Sequence, residues 1–246
     1  MQEQMPSGME APIQAKGQVQ RDEARSGLDD PRALQILSTE HWSLLATRSL
    51  AYNEIFTRAG MFLTFLAASL VALGLISAAT GFTSQLALVA AVILATDLFL
   101  GLATLGRLND AGQEERECMV GMNRIRHAYR QMVPGIEPYF VTPFHDDPAS
   151  VLSAYGVWRP GIVGNLLHGM TTAPALVGVV DAVVAGSLAT VVLLGLGAPL
   201  EVGLVGGLIA FAAIFALGFW LGFTNAVRAQ HRRIARFPAA PAEPPA

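Results

Sequence analysis

Two aspartates stand alone inside long apolar stretches of this 246-residue chain. Asp97 is the sole charged residue of 61–106, and 169–227 holds Asp181 and Glu201 alone. A carboxylate in a membrane-spanning helix costs about 2.5–3.5 kcal/mol on insertion scales, so it usually faces a bundle interior and marks a proton or ion site. No Lys, Arg or His lies in either stretch to neutralise these groups. The chemistry that they could perform is therefore reversible binding of a proton or a cation.

Two interpretations of the aspartates remain open. In the first, Asp97 and Asp181 form a proton or cation path, within one chain or as a ring in an oligomer. In the second, each is a neutral side chain whose hydrogen bonds hold the bundle together. The partners in such bonds would be the hydroxyl groups of Thr96, Thr104, Ser187 or Thr190, or a group on a neighbouring helix. Desolvation favours the protonated form in both interpretations.

Signatures of other chemistry are absent from the sequence. There is no HExxH, GxSxG, Walker loop or GxGxxG after a strand, and no nucleophile–base pair is evident for an enzyme acting on lipids. His145, Asp146 and Asp147 are metal-capable, but three adjacent side chains do not converge on one ion unaided. Cys118 is the sole cysteine, which excludes an intramolecular disulfide. We expect no enzyme activity, cofactor or metal site.

The elements that must position the aspartates are four apolar spans. Hydrophobic residues make up 52% of the chain and charged residues 14%, which is typical of a multi-pass membrane protein. The spans run from about Met61 to Ala79, from Gln85 to Gly106, from Thr172 to before Pro199, and from Val202 to Ala226. Each is near the ~20 residues that a ~30 Å hydrocarbon core requires. Since the connections at Thr80–Ser84 and Ala198–Glu201 are short, we predict an all-α bundle of two antiparallel transmembrane hairpins.

Basic residues predict how the bundle is oriented. Neither short turn contains Lys or Arg, whereas the other span ends carry many. The arginines near those ends are Arg48, Arg58, Arg107, Arg116, Arg124, Arg159, Arg228, Arg232, Arg233 and Arg236. The positive-inside rule therefore places both termini and the middle loop in the cytoplasm, with the protein in the inner (cytoplasmic) membrane.

Two cytoplasmic segments have the periodicity of amphipathic helices. The first begins at Glu40, could run straight into the first span, and carries one stripe of mostly large apolar side chains: Trp42, Leu45, Ser49, Tyr52 and Phe56. The second ends before Pro134 and Gly135 and carries another stripe: Met122, Ile125, Tyr129 and Met132. These stripes could pack on each other, lie on the membrane surface or against the protein's own loop, or bind a cytoplasmic protein.

The chain divides into five segments on these grounds. They are a disordered cytoplasmic tail (1–30), a cytoplasmic helix with hairpin one (31–106), a partly helical cytoplasmic segment (107–168), hairpin two (169–227), and a basic, then Pro/Ala-rich cytoplasmic tail (228–246). We expect the residues from Phe237 to Ala246 to be disordered. Asp147 and Pro148 predict the start of a short helix.

Small residues at i, i+4 spacing predict close helix contacts, within the chain or in a homo-oligomer. The pairs are Ala182 with Gly186, Gly203 with Gly207, and Gly218 with Gly222.

The stretches from Thr47 to Ile76 and from Gly121 to Phe140 resemble segments of bacterial four-span integral membrane proteins that have a long cytoplasmic first segment and no assigned activity. The resemblance covers about a fifth of the chain. It implies a membrane protein, and no activity, cofactor or catalytic residue comes with it.

Two functions follow as hypotheses. The first is a small, oligomeric proton or cation channel or transporter that uses Asp97 and Asp181. The second is a membrane-anchored scaffold or sensor that presents its cytoplasmic helices to a partner protein and transports nothing. The expected partners are membrane lipids, a second copy of the chain, or a cytoplasmic protein. A net charge of −3 provides no basic excess for nucleic acid.

Overall fold

A computed structural model describes residues 27–81, 83–155, 171–231 and 234–239, and within these ranges the chain forms helices and no strands. The helices are α1 (Ala33–Thr80), α2 (Ser84–Met132), α3 (Pro148–Ala154), α4 (Ala173–Gly195) and α5 (Leu200–His231), with a 3-10 turn at Glu137–Tyr139 between α2 and α3. The prediction of an all-helical chain is confirmed.

Four of these helices are long and apolar enough to cross a membrane. They are α1, α2, α4 and the Leu200–Gly222 part of α5, each with an 18-residue window of mean hydropathy between 2.2 and 2.4. The predicted number of spans is therefore confirmed by length and composition.

Helices α1 and α2 are much longer than a bilayer is thick. They contain 48 and 49 residues, which corresponds to about 72 and 74 Å at 1.5 Å per residue. The prediction that the helix at Glu40 runs straight into the first span is confirmed, because α1 is continuous through both. The segment boundary at 106/107 falls inside the continuous α2.

Local sequence signals explain where the helices begin and end. The Thr83 hydroxyl accepts from Leu86 N at 3.2 Å and caps α2, and the Asp147 carboxylate accepts from Ser150 N at 3.1 Å and caps α3. The predicted short helix at Pro148 is thus confirmed. The predicted stop before Pro134 and Gly135 is also confirmed, because α2 ends at Met132.

The apolar core lies where α1, α2 and α4 meet, and α5 packs on α4. Buried residues of this core are Ile55, Ala59, Phe62, Leu66, Leu94, Leu108, Ala111, Val177 and Val184. Two predicted small-residue pairs serve the contact between α4 and α5, since a β-carbon on Gly186 would lie 2.9 Å from Gly207 O. At Gly218 a β-carbon would meet nothing within 4 Å.

Candidate intramembrane carboxylate site

Asp97 lies on α2 and is fully buried, with 0% of its surface exposed. Its Oδ1 atom accepts a hydrogen bond from Ser69 Oγ of α1 at 3.1 Å. Its Oδ2 atom has no hydrogen-bond partner among the described residues. The Ser69 hydroxyl therefore satisfies one of the two carboxyl oxygens of Asp97.

Asp181 lies on α4 and is also fully buried. Neither of its carboxyl oxygens has a hydrogen-bond partner in the described part of the chain. The carboxyl group packs directly on Gly101 of α2: a β-carbon on Gly101 would overlap Asp181 Oδ1 and lie 2.7 Å from Asp181 Cγ and 2.8 Å from Phe62 Cζ. Asp181 thus fills the space that any other side chain at position 101 would require.

The structure brings the two predicted aspartates to one site. Asp97 and Gly101 are four residues apart, so they lie on one face of α2 about one helical turn from each other. Because Asp181 packs on Gly101, its carboxyl group lies about one turn of α2 from Asp97. No hydrogen bond joins the two carboxyl groups in the described residues. Gly101 and Asp97 precede Arg107 by six and ten residues, roughly 9 and 15 Å along the helix.

The hydroxyl groups predicted to bond these aspartates are engaged elsewhere or form no bond with them. Thr96 Oγ1 donates to Val92 O at 2.9 Å. Thr190 Oγ1 lies 3.0 Å from Gly186 O and 3.2 Å from Gly203 O, and so serves the contact between α4 and α5. Within the described residues, neither Thr104 nor Ser187 bonds to a carboxyl group of the pair.

Sequence reasoning missed two residues of the site, Ser69 and Gly101. A signal existed for Gly101, because it follows Asp97 by four residues and shares its helix face. Ser69 was recognisable as a hydroxyl inside the first span, at a depth of eight residues from Met61. Their roles depend on which face of α1 and α4 meets α2, and helical periodicity alone does not specify that pairing.

The walls of the site are apolar. Phe62 reaches the Asp181 carboxyl group from α1, and the buried neighbours Leu94 of α2, with Val177 and Val184 of α4, belong to the core around it. An ionised carboxylate without donors is very costly in such surroundings. The described residues therefore offer little that would stabilise a negative charge on these carboxyl groups.

Outside the spans, buried acidic groups are paired. Glu115 of α2 accepts from Arg48 Nε of α1 at 2.6 Å and from the Tyr155 hydroxyl after α3. Burial, followed by this hydrogen bond, raises the pKa of Tyr155 well above its usual value, so Tyr155 stays the donor. Closer to the first span, Arg107 donates to Glu54 through Nε at 2.8 Å and Nη2 at 3.2 Å. These pairs join the parts of α1 and α2 that lie outside the spans, 33–60 and 107–132, which are called the extensions below.

Asp146 holds the segment that follows α5. Its carboxylate accepts from Arg124 Nε at 2.7 Å, from Arg236 N at 3.0 Å and from Phe237 N at 2.8 Å. The Phe237 ring stacks on His127 with centroids 4.2 Å apart. The predicted disorder is therefore wrong for Phe237–Ala239, because the Asp146 and Asp147 carboxylates supply hydrogen bonds that composition does not reveal. The rest of that tail lies outside the described residues.

The side chains of His145, Asp146 and Asp147 contact other residues of the chain. His145 Nδ1 lies 3.2 Å from Phe237 O, and Asp147 caps α3 and also accepts from Ala239 N at 3.1 Å. Among the described residues no group of three or more His, Cys, Asp or Glu side chains is arranged to hold a metal ion.

The two predicted apolar stripes have different surroundings. Trp42 and Phe56 are 68% and 66% exposed, and Leu45 and Tyr52 are also exposed. In contrast, Met122 and Ile125 are buried and Tyr129 is half-buried. Met122 belongs to a cluster with Met119 and Val151, against which Leu44 of α1 packs. Leu44, which is one residue before Leu45 and not part of the first stripe, therefore makes this contact with the second stripe.

No protein-family model matches this sequence, and no curated protein or solved structure is similar to it.

Proposed function

We propose that this chain is a multi-pass protein of the inner membrane whose four spans form two antiparallel hairpins, with both termini in the cytoplasm. The absence of basic residues from both short turns and their frequency at the other span ends support this orientation. The ion pairs that join the extensions of α1 and α2 suit an aqueous compartment, which supports placing both extensions outside the bilayer on one side. Both extensions begin at the ends of the spans that carry the arginines.

The function that the geometry supports best is movement of protons or cations through the membrane at Asp97 and Asp181, in a small channel or transporter that works as an oligomer. The observation that carries this proposal is the Asp181 carboxyl group, which is fully buried and has no hydrogen-bond partner in the described residues. A purely structural aspartate would be expected to bond to a hydroxyl or a neighbouring helix. Ionisable residues inside spanning helices often mark proton and ion pathways.

Flux measurements on purified protein in liposomes test this proposal. We expect wild-type protein to dissipate an imposed pH gradient or cation gradient, and Asp181→Asn and Asp97→Asn to lose that flux because an amide does not exchange a proton or a charge. Asp110→Asn is the matched control, since Asp110 is an exposed aspartate on the same helix. Normal flux in both site variants, or no flux in the wild type under gradients of either sign, would refute the conduction proposal.

A second candidate function is a scaffold or sensor, and one observation favours it. Trp42 is 68% exposed and precedes Met61 by 19 residues of continuous helix, which places it about 28 Å from the start of the span. A large aromatic side chain so far from the bilayer interface is available to a cytoplasmic protein.

Crosslinking tests this second function. The scaffold predicts a specific cytoplasmic protein crosslinked near Trp42, with the yield falling when Trp42, Leu45 and Phe56 are replaced together by Gln. Replacing the exposed polar residues Ser43 and Thr47 is the control. An unchanged yield in the apolar triple variant would refute this function.

A further inference from the structure

The species carried at the site follows from its chemistry. Resting on the proposed function, we propose that Asp181 binds a proton and not a metal cation, and that Gly101 is the positioning residue that holds its carboxyl group beside Asp97. The first part concerns which ligand the carboxyl group can satisfy. The second concerns why that group lies where it does.

Metal cations need more oxygen ligands than this site supplies. Hard cations take about six to eight oxygens, and potassium filters surround the ion with rings of carbonyl groups. The two carboxyl groups supply four oxygens, and Ser69, the one side-chain hydroxyl that bonds to either of them in the described residues, brings the count to five. On the side of α2, the Asp181 carboxyl group packs on Gly101 close to the Phe62 ring, which carries no oxygen. A proton needs a single oxygen, and binding it removes the charge that this apolar wall disfavours.

Few other titratable groups lie in the spans. The spanning part of α1 (61–80) contains none, α4 contains Asp181 alone, and the span of α5 (Leu200–Gly222) contains Glu201, an exposed residue of its first turn. The spanning part of α2 contributes only Asp97, one turn from Gly101. Protonation forms one O–H bond on a carboxylate oxygen. Release leaves the bonding pair on that oxygen and passes the proton to a base, with no change in oxidation state.

Gly101 determines the position of the Asp181 carboxyl group by lacking a side chain. A methyl group at position 101 would overlap Oδ1 and crowd Cγ, so the carboxyl group would have to leave its place beside α2. Gly106, on the same helix, has nothing within 4 Å of a built β-carbon. Alanine has a higher helix propensity than glycine. Gly106→Ala is therefore the matched control, because it adds the same methyl group to α2 without an overlap.

Carbodiimide labelling tests both parts in the intact protein. Dicyclohexylcarbodiimide adds to a protonated carboxyl group: the acid proton moves to a carbodiimide nitrogen, the carboxyl oxygen bonds to the central carbon, and rearrangement gives a stable N-acylurea. We expect mass spectrometry to locate this adduct on Asp181 at neutral pH, with labelling that falls as pH rises and that excess Na⁺ or K⁺ does not reduce. In Gly101→Ala the labelling of Asp181 should fall about tenfold, as for a displacement that costs about 1.4 kcal/mol, and Gly106→Ala should label as the wild type does.

The outcomes separate the inference from the proposed function. Protection of Asp181 by Na⁺ or K⁺, or no adduct at any pH, would overturn the proton assignment even if cation flux is present. Wild-type labelling in Gly101→Ala would overturn the positioning role. Labelling as expected without flux would retain the proton site and refute conduction. If Gly101→Ala does not fold, the double variant Gly101→Ala, Asp181→Ala decides: recovery of folding supports the overlap with the carboxyl group, and failure to recover overturns it.

Discussion

Buried acidic side chains occur in both halves of this molecule, and the two halves treat them differently. Outside the spans, Glu115 and Asp146 are 4% and 6% exposed and each accepts hydrogen bonds from an arginine and from further donors. In the membrane layer, Asp97 and Asp181 are 0% exposed, and three of their four carboxyl oxygens have no partner in the described residues.

This comparison separates two meanings of a buried carboxylate. Where arginines and backbone N–H groups converge on it, the group is a charged structural connection between distant parts of the chain. Where a single hydroxyl or nothing faces it, the described residues do little to stabilise the charged form, and for this group we propose proton binding. Burial alone does not distinguish these cases, whereas the set of donors does.

The largest expected effect of a substitution is on the Glu115 pair. Glu115→Ala leaves Arg48 and Tyr155 without their acceptor, and removing one partner of a buried ion pair typically costs about 3–5 kcal/mol of unfolding free energy. Thermal or chemical unfolding in detergent measures this loss. Glu114→Ala is the control, because Glu114 is half exposed and contacts Arg107 at 3.4 Å, and exposed pairs contribute about 0–1 kcal/mol. Equal effects in the two variants would contradict the structural role of Glu115.

A somewhat smaller effect is expected at Asp146. Asp146→Ala removes the acceptor of Arg124 and of two backbone N–H groups, and hydrogen bonds to a charged group contribute about 1.5–3 kcal/mol. The segment around Phe237 should then detach, so trypsin should cleave after Arg236 faster than in the wild type. Glu137→Ala serves as the control, since Glu137 is exposed and lies 3.6 Å from Arg130. An unchanged cleavage rate would show that Asp146 does not hold the segment.

The same contact should respond to acid in a defined direction. Burial raises the pKa of Asp146, but the bonds from Arg124 and from the backbone of Phe237 and Arg236 outweigh it, so the pKa lies below its usual value. A lowered folded-state pKa means that the stabilisation is fully present above the unfolded value of about 3.9 and is lost as pH falls through the folded value. A fluorescent label attached near Phe237 should therefore report that this segment stays bound to Asp146 from about pH 5 upward and detaches in more acidic solution. Asp146→Asn should remove this acid transition, and a transition that persists in that variant would assign it to another group.

The smallest effect on stability is expected at Asp181. Asparagine has nearly the shape of a protonated aspartate, and no donor in the described residues depends on the carboxyl group, so Asp181→Asn should change the unfolding free energy by less than about 1 kcal/mol. Unfolding in detergent, measured beside Glu115→Ala, checks this contrast. A loss of several kcal/mol would make Asp181 a structural group and remove the difference between the two regions.

Much of the fold could be predicted from local signals in the sequence. Apolar runs of about 20 residues indicate spans, Pro134 and Gly135 mark the end of α2, and Asp147 with Pro148 marks the start of α3. Each of these sequence patterns affects the structure of residues close to it in the chain. The continuity of α1 also follows locally, because no helix-breaking proline interrupts 33–80.

The composition of the candidate site could be predicted only in part. Asp97 and Asp181 are recognisable because a charge in an apolar run is rare and costly. The partners predicted for them were four named hydroxyl groups or an unspecified group of a neighbouring helix, and the observed donor, Ser69, is 28 residues from Asp97 on such a helix. Likewise the sequence left open whether the stripe that includes Leu45 and Trp42 packs on the stripe of α2, whereas the structure shows that Leu44 of α1 makes the contact.

The sequence by itself determined that this chain forms helices, that four are apolar enough to cross a membrane, and that Asp97 and Asp181 lie within two of them. These properties follow from hydropathy and backbone hydrogen bonding, which are local. Only the tertiary structure decided that Asp181 packs on Gly101 while Arg48 finds Glu115, 67 residues away. The reason is that helix rotation and pairing depend on how side chains from separate segments interlock, and no single segment contains that information.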